Sequence, residues 1–80
     1  MKWIGLNPAW WDRNIQVMVD KLPIGDQMRV YSKITSPQAL AAALKADQAK
    51  GISVDAQIDA LKSIYTPEQQ QAFDQTFNHK

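Results

Sequence analysis

The sequence predicts an all-α protein, a compact single domain over residues 1–80 with four to five short helices. An oxygen-bearing N-cap residue followed by proline, which is typical of a helix start, occurs three times, as Asn7-Pro8, Ser36-Pro37 and Thr66-Pro67. Two stretches repeat apolar residues at helical spacing. A chain of 80 residues is long enough to bury one hydrophobic core and too short for two, so one domain is expected.

The first helix is predicted to run from Pro8 to about Leu22, because Pro23 follows and does not continue a helix. Its apolar residues form one stripe: Trp11, Ile15, Met18, Val19 and Leu22. Trp10 and Val17 lie off that stripe and widen the apolar arc to about half of the circumference. This width indicates a helix that is either central to the fold or covered on two sides.

The segment around residues 27–34 fits two structures. Val30 fits the period of two of a strand together with Met28 and Ile34, whereas Tyr31 fits helical spacing with the same two residues. A lone strand would have no second strand to pair with, so we favour a short helix. The alternative is an α+β fold with a short β segment near 27–34.

Residues 37–50 are rich in alanine and predict a third helix that ends at Gly51 in a left-handed cap. The only large apolar residues of this helix are Leu40 and Leu44. Asp47 lies in line with the two leucines, which predicts that the far end of the helix is exposed to solvent.

Ser53 is the predicted N-cap of a fourth helix. The apolar residues of that helix share one face: Val54, Ile58, Leu61, Ile64 and Tyr65. A fifth helix is predicted after Thr66, where Gln69 completes a capping box. It carries a narrow apolar seam of Phe73 and Phe77.

The residues from Ser32 to Pro37 resemble those from Lys62 to Pro67. We interpret this echo as two successive helical hairpins and not as a repeat protein, because a solenoid needs about three units. The predicted core consists of Trp11, Ile15, Met18, Leu22, Leu40, Leu44, Ile58, Leu61, Ile64 and Phe73.

The composition argues against most enzyme chemistry. The chain has no cysteine and one histidine, His79, so it lacks the residues for a disulfide, a thiolate zinc site or a Ser-His-Asp triad. Asp55 and Asp59 share a helix face, but a solvated face with Lys62 nearby explains them better than catalysis does. We therefore expect a protein that is not an enzyme and has no cofactor and no metal.

Neither a signal peptide nor a membrane helix is predicted. The first eight residues lack a long apolar run and a small-residue cleavage site, and no window approaches the ~18 apolar residues of a membrane helix. The expectation is a soluble, cytoplasmic protein without a membrane partner.

The net charge of +1 provides no strong field toward nucleic acid. The third and fourth helices could form a helix-turn-helix motif, but the fourth would present Asp55 and Asp59 where a recognition helix presents basic side chains. A small DNA-binding transcriptional regulator is therefore the alternative hypothesis. Its contacts would come from Arg13, Arg29 and Lys33.

The three tryptophans, Trp3, Trp10 and Trp11, all lie within the first eleven residues. Tryptophan is enriched where buried anchors hold protein interfaces together, and Trp10 lies off the apolar stripe. Alternatively, Trp3 folds back over the first helix as part of a staple with Ile4 and Leu6. The predicted protein-binding residues are Trp3, Trp10, Arg13, Arg29, Tyr31 and Lys33.

In size and composition the chain is similar to accessory proteins of phages and mobile elements, such as anti-CRISPR inhibitors, anti-repressors and polymerase-binding factors. No motif carries this resemblance. It implies stoichiometric binding to a host protein or protein complex, which the small protein would inhibit or modulate by occlusion. Self-association through the wide arc of the first helix, giving a homodimer, is a further possibility.

Overall fold

The computed structural model describes residues 9–78 and contains five helices in that part of the chain. They are α1 (Arg13–Asp20), α2 (Ile24–Ile34), α3 (Pro37–Ala49), α4 (Asp55–Ile64) and α5 (Pro67–Phe77). Residues 9–78 contain no strand, so the all-α prediction is confirmed. The alternative of a β segment near residues 27–34 is wrong, because these residues belong to α2.

Helices α2 and α3 form one consecutive pair and α4 and α5 another; we call each pair a hairpin, although its helices pack mainly on those of the other pair. A two-residue junction, Thr35-Ser36, connects α2 to α3, and a second, Tyr65-Thr66, connects α4 to α5. The main helix pairs are α3 with α5 and α2 with α4, so each helix of one hairpin rests on its counterpart in the other. The sequence echo between residues 32–37 and 62–67 marks these two junctions.

Two of the predicted helix starts are confirmed in detail. The Ser36 hydroxyl accepts a hydrogen bond from the Ala39 amide at 3.1 Å. The Thr66 hydroxyl accepts from the Gln69 amide at 3.3 Å, and the Gln69 side-chain oxygen accepts from the Thr66 amide at 3.0 Å. This reciprocal pair is the predicted capping box.

The end of α3 confirms one prediction and corrects another. Gly51 has φ of +87°, as expected for a left-handed cap. The Ile52 amide donates to the Asp47 carbonyl and the Gly51 amide to the Gln48 carbonyl, both at 3.0 Å, which is a Schellman motif. Asp47 itself is buried, so the prediction of a solvent-exposed helix end is wrong, since the chain turns back over this residue.

The first helix begins later than the sequence predicts. Residues 9 and 10 form a turn, and α1 starts at Arg13. The Asp12 carboxylate caps the helix by accepting a hydrogen bond from the Ile15 amide at 2.9 Å. The prediction of a helix from Pro8 is therefore wrong over residues 9–12, while Asn7 and Pro8 themselves lie outside the described residues.

The start of the fourth helix is also corrected. Val54, and not Ser53, occupies the N-cap position of α4, and no side chain caps this end. The Val54 side chain is buried in the core. Its burial favours a helix that begins after Val54, one residue later than a helix capped by Ser53 would begin.

The core is centred on the two hairpins. The buried apolar residues are Val19, Met28, Tyr31, Leu40, Ala41, Leu44, Val54, Leu61, Tyr65 and Phe73. Four predicted core residues are among them: Leu40, Leu44, Leu61 and Phe73. Four others are partly buried against this cluster: Trp11, Ile15, Ile58 and Ile64. Met18 and Leu22 are exposed, so their assignment to the core is wrong. The reason is that α1 is an edge helix, which rests on α2 with only one side of its apolar stripe.

Candidate protein-binding surface

A stacked aromatic pair and a glutamine hold the start of α1 on α2. The Trp11 and Tyr31 rings stack with centroids 5.8 Å apart and an interplanar angle of 27°. The Trp11 indole N–H donates to the Gln16 side-chain oxygen at 2.9 Å. The Gln16 amide nitrogen donates to the Tyr31 hydroxyl at 3.3 Å and to the Asp20 carboxylate at 2.8 Å. This network gives α1 a defined orientation.

The same network changes the acidity of Tyr31. Burial raises the pKa of its phenol above the usual 10.0, the Gln16 hydrogen bond opposes that shift, and the nearby Asp20 carboxylate adds to it. Tyr31 is therefore a neutral hydrogen-bonding group throughout the physiological pH range.

A buried side chain of α2 holds the other end of α1. The Gln27 amide nitrogen donates to the carbonyl of Asp20 at 3.1 Å and to that of Leu22 at 3.0 Å. These carbonyls lie at and just beyond the C-terminal end of α1, where a helix runs out of backbone amide donors. Polar bonds thus fix both ends of α1, although the helix covers little of the core.

The outer side of α1 is apolar and exposed. Five large hydrophobic residues are exposed in the described part of the chain. Four of them belong to α1 or its immediate flanks: Trp10, Val17, Met18 and Leu22. We call these four residues the α1 surface. Met18 is 69% exposed and Trp10 64%, whereas Ile52, the fifth, lies in the α3–α4 loop. Among the described aromatic residues, the Trp10 ring contacts Trp11, with centroids 5.9 Å apart.

Helical geometry arranges this surface in rows. Residues four apart lie one above the other on a helix, so Arg13, Val17 and Lys21 form one row. Met18 lies in the neighbouring row, which Leu22 continues just beyond the end of α1. Every residue of both rows is exposed. The surface is therefore an apolar strip with one cation and one exposed aspartate near each end.

The structure separates the predicted binding residues. Arg13 lies beside the α1 surface, while Arg29 and Lys33 lie together on the outer face of α2, and all three are exposed. Tyr31 is completely buried, so its assignment to a contact surface is wrong. Residues two apart on a helix differ by ~200°, which points Tyr31 inward when Arg29 and Lys33 point outward. Trp3 lies outside the described residues.

Sequence reasoning missed Val17, Met18 and Leu22 as surface residues. The sequence pattern places Val17 in a wide apolar arc and assigns Met18 and Leu22 to the core stripe. The width of the arc was the available signal, because a helix that is apolar over half of its circumference needs more than one neighbour. In the described part of the structure α2 is the main neighbour of α1, and the contact between these two helices is small.

Other kinds of site find little support in the described residues. Residues 9–78 hold no group of three or more His, Cys, Asp or Glu side chains placed to bind a metal ion. None of the five helices combines the length and apolarity needed to cross a membrane. The helices α3 and α4 are not one of the main packed pairs, unlike the two helices of a helix-turn-helix motif.

Comparisons of the chain with family models, with curated proteins and with solved structures found no match.

Proposed function

We propose that this chain is a small non-enzymatic module that binds a partner protein stoichiometrically through the α1 surface. The observation that carries the proposal is the concentration of exposed large apolar side chains, four of five, on one short edge helix and its flanks. Contiguous exposed apolar residues are uncommon on monomeric domains and mark interaction sites. Trp10 is the proposed anchor, because tryptophan contributes strongly to interfaces when a partner desolvates it.

Occlusion is the proposed mechanism. The rigid attachment of α1 by Trp11, Gln16 and Gln27 presents the surface in one orientation, which lowers the entropic cost of binding. Such a module would cover the working surface of a host protein complex without turnover. The composition and size support an origin as a phage or mobile-element accessory protein acting in the cytoplasm, with an anti-CRISPR-like inhibitor as one instance.

The test is capture of the partner from the native host with three forms of the protein. The wild type is compared with Trp10→Ala and with Ile52→Ala, whose side chain is exposed but lies in the α3–α4 loop. We expect Trp10→Ala to lose the partner identified with the wild type, with an unchanged Tm, and Ile52→Ala to retain it. A Trp10→Ala variant that keeps the partner but melts much earlier would assign this ring to the fold and contradict the proposal.

A DNA-binding regulator is the second candidate, supported by the exposure of Arg13, Arg29 and Lys33. It requires binding to duplex DNA that weakens steeply as salt increases. Absent or salt-independent binding at low ionic strength would dismiss it.

A further inference from the structure

We infer that α1 detaches from the other helices as a unit, at a lower free energy than global unfolding, so that the α1 surface has a docked and a detached state. Detachment concerns how the inner side of α1 is held and does not depend on what binds its outer side. It follows from the burial of α1, from its length and from the packing of the other four helices.

Helix α1 contributes little to the core. Val19 is the one buried residue of the eight in α1, while Ile15 and the preceding Trp11 are partly buried. The contact between α1 and α2 is small, whereas α2 rests mainly on α4, and α3 on α5. Removal of α1 would leave both of these main pairs intact. Because apolar burial is the dominant stabilising term, α1 has the weakest attachment of the five helices within residues 9–78.

The hydrogen bonds that orient α1 are few, and they join polar groups. The Gln16 amide nitrogen donates to the Tyr31 hydroxyl at 3.3 Å, and that of Gln27 donates to the carbonyls of Asp20 and Leu22 at 3.1 and 3.0 Å. Water can satisfy the same groups after detachment, so each bond contributes little net free energy. These bonds therefore give the docked helix one orientation without preventing its release.

Detachment and loss of the helix should occur together. Helix α1 has 8 residues, and isolated helices shorter than ~12–15 residues are marginal in water. Pro23 separates α1 from α2, and because proline lacks a backbone N–H, the hydrogen bonding of one helix does not continue into the other. The unit that opens thus ends before α2, which stays on α4.

Docking would control binding through the α1 surface. A partner that requires helical α1 binds the docked state alone, so its apparent Kd equals the intrinsic Kd divided by the docked fraction of the protein. A change that favours detachment would weaken binding without altering any residue of the α1 surface. This consequence rests on the proposed function, whereas detachment itself does not.

The test is hydrogen exchange of the native protein, followed by NMR at several low urea concentrations. We expect the amides of residues 16–20 to share one free energy of opening and to exchange at least about tenfold faster than those of Leu44 and Phe73, after correction for intrinsic rates. Their exchange should also depend less on urea, because local opening exposes less surface than global unfolding does.

Two variants separate detachment from global unfolding. Gln27→Ala removes bonds that exist in the docked state alone, so it should accelerate exchange at residues 16–20 and at Leu44 by the same factor. Phe73→Leu changes a buried residue of α5, which detachment leaves in place, so it should accelerate exchange at Leu44 but not at residues 16–20. Gly51→Ala, a milder change outside α1, serves the same purpose if Phe73→Leu does not fold.

Three results would overturn the inference. Equal protection and equal urea dependence at residues 16–20 and at Leu44 would show that α1 opens only when the whole protein unfolds. Rates that increase gradually toward the ends of α1 would indicate fraying and not release of a unit. Acceleration at residues 16–20 by Phe73→Leu would join α1 to the core. The measurement uses no partner, so failure of the capture experiment with Trp10→Ala would leave its outcome unaffected.

Discussion

The ring of Trp11 stacks on the ring of Tyr31, a completely buried residue near the C-terminal end of α2. This contact connects the edge helix to the core, and the neighbouring Trp10 takes no part in it. Two adjacent tryptophans thus have different environments, and substitutions at the two positions should have different effects.

Trp11→Ala should destabilise the fold, whereas Trp10→Ala should not. We expect Trp11→Ala to lower the free energy of unfolding by about 2 kcal/mol, below the ~3–5 kcal/mol of a fully buried aromatic, because Trp11 is half-buried. Trp10→Ala should change it by less than about 0.5 kcal/mol. Urea denaturation of both variants measures the difference. Equal losses would show that Trp10 also contributes to the fold.

The two buried tyrosines should respond in opposite ways to removal of their hydroxyl groups. The Tyr65 hydroxyl is buried without a hydrogen-bond partner, so Tyr65→Phe should be neutral or stabilising by about 1 kcal/mol. The Tyr31 hydroxyl accepts from Gln16, so Tyr31→Phe should cost about 1 kcal/mol. Chemical denaturation under identical conditions provides the comparison. A clear loss of stability in Tyr65→Phe would reveal a partner for that hydroxyl.

Stability should decline in alkaline solution because of the same tyrosines. Burial raises the pKa of Tyr65 to about 12 and raises that of Tyr31 as well. Above pH ~10 the unfolded chain loses these phenolic protons while the folded chain keeps them, so the unfolded state is favoured. Their contribution is therefore complete below pH ~10 and is lost as the pH rises toward the folded-state values.

The measurement is the free energy of unfolding as a function of pH, with tyrosinate absorbance recorded on the folded protein. Tyr65→Phe should show a shallower alkaline decline than the wild type. Ionisation of every tyrosine of the folded protein near pH ~10 would contradict the prediction.

Two glycines should respond in opposite ways to substitution by alanine. Gly51 has a positive φ, so Gly51→Ala should destabilise the protein by about 1 kcal/mol. Gly25 lies inside α2, and a methyl group there would meet no atom within 4 Å. Gly25→Ala should therefore stabilise the protein by about 0.5–1 kcal/mol. Thermal denaturation of the pair would be decisive, and a gain at Gly51 or a loss at Gly25 would refute the argument.

The starts of α3 and α5 could be predicted from the sequence. Ser36 and Thr66 cap these helices as expected, because each directly precedes a proline, which is favoured at the first helical position. At the first helix, Asn7-Pro8 carries the same pattern, but Asp12 also has the side chain of an N-cap and is the one used. The sequence alone does not predict which of two possible N-cap residues will begin a helix.

Periodicity predicted which residues share a face of α1 but not how much of that face a neighbour covers. Val19 is buried and Met18, next to it on the same stripe, is exposed, because α2 covers only one side of the stripe. The extent of this cover depends on how α2 is held by α4, which involves residues far away in the sequence. Tyr31 lies between Arg29 and Lys33 in the sequence, but on a helix it points to the opposite side from them and is buried.

The cross-packing of the two hairpins makes neither of them an independent folding unit. Because α2 rests on α4 and α3 on α5, a break in residues 50–54 would leave two fragments that each lack the main partners of their helices. Such fragments should be disordered alone and should reassemble when mixed. The same arrangement permits two chains to exchange hairpins across this loop, so a domain-swapped dimer is the expected misfolded product at high concentration.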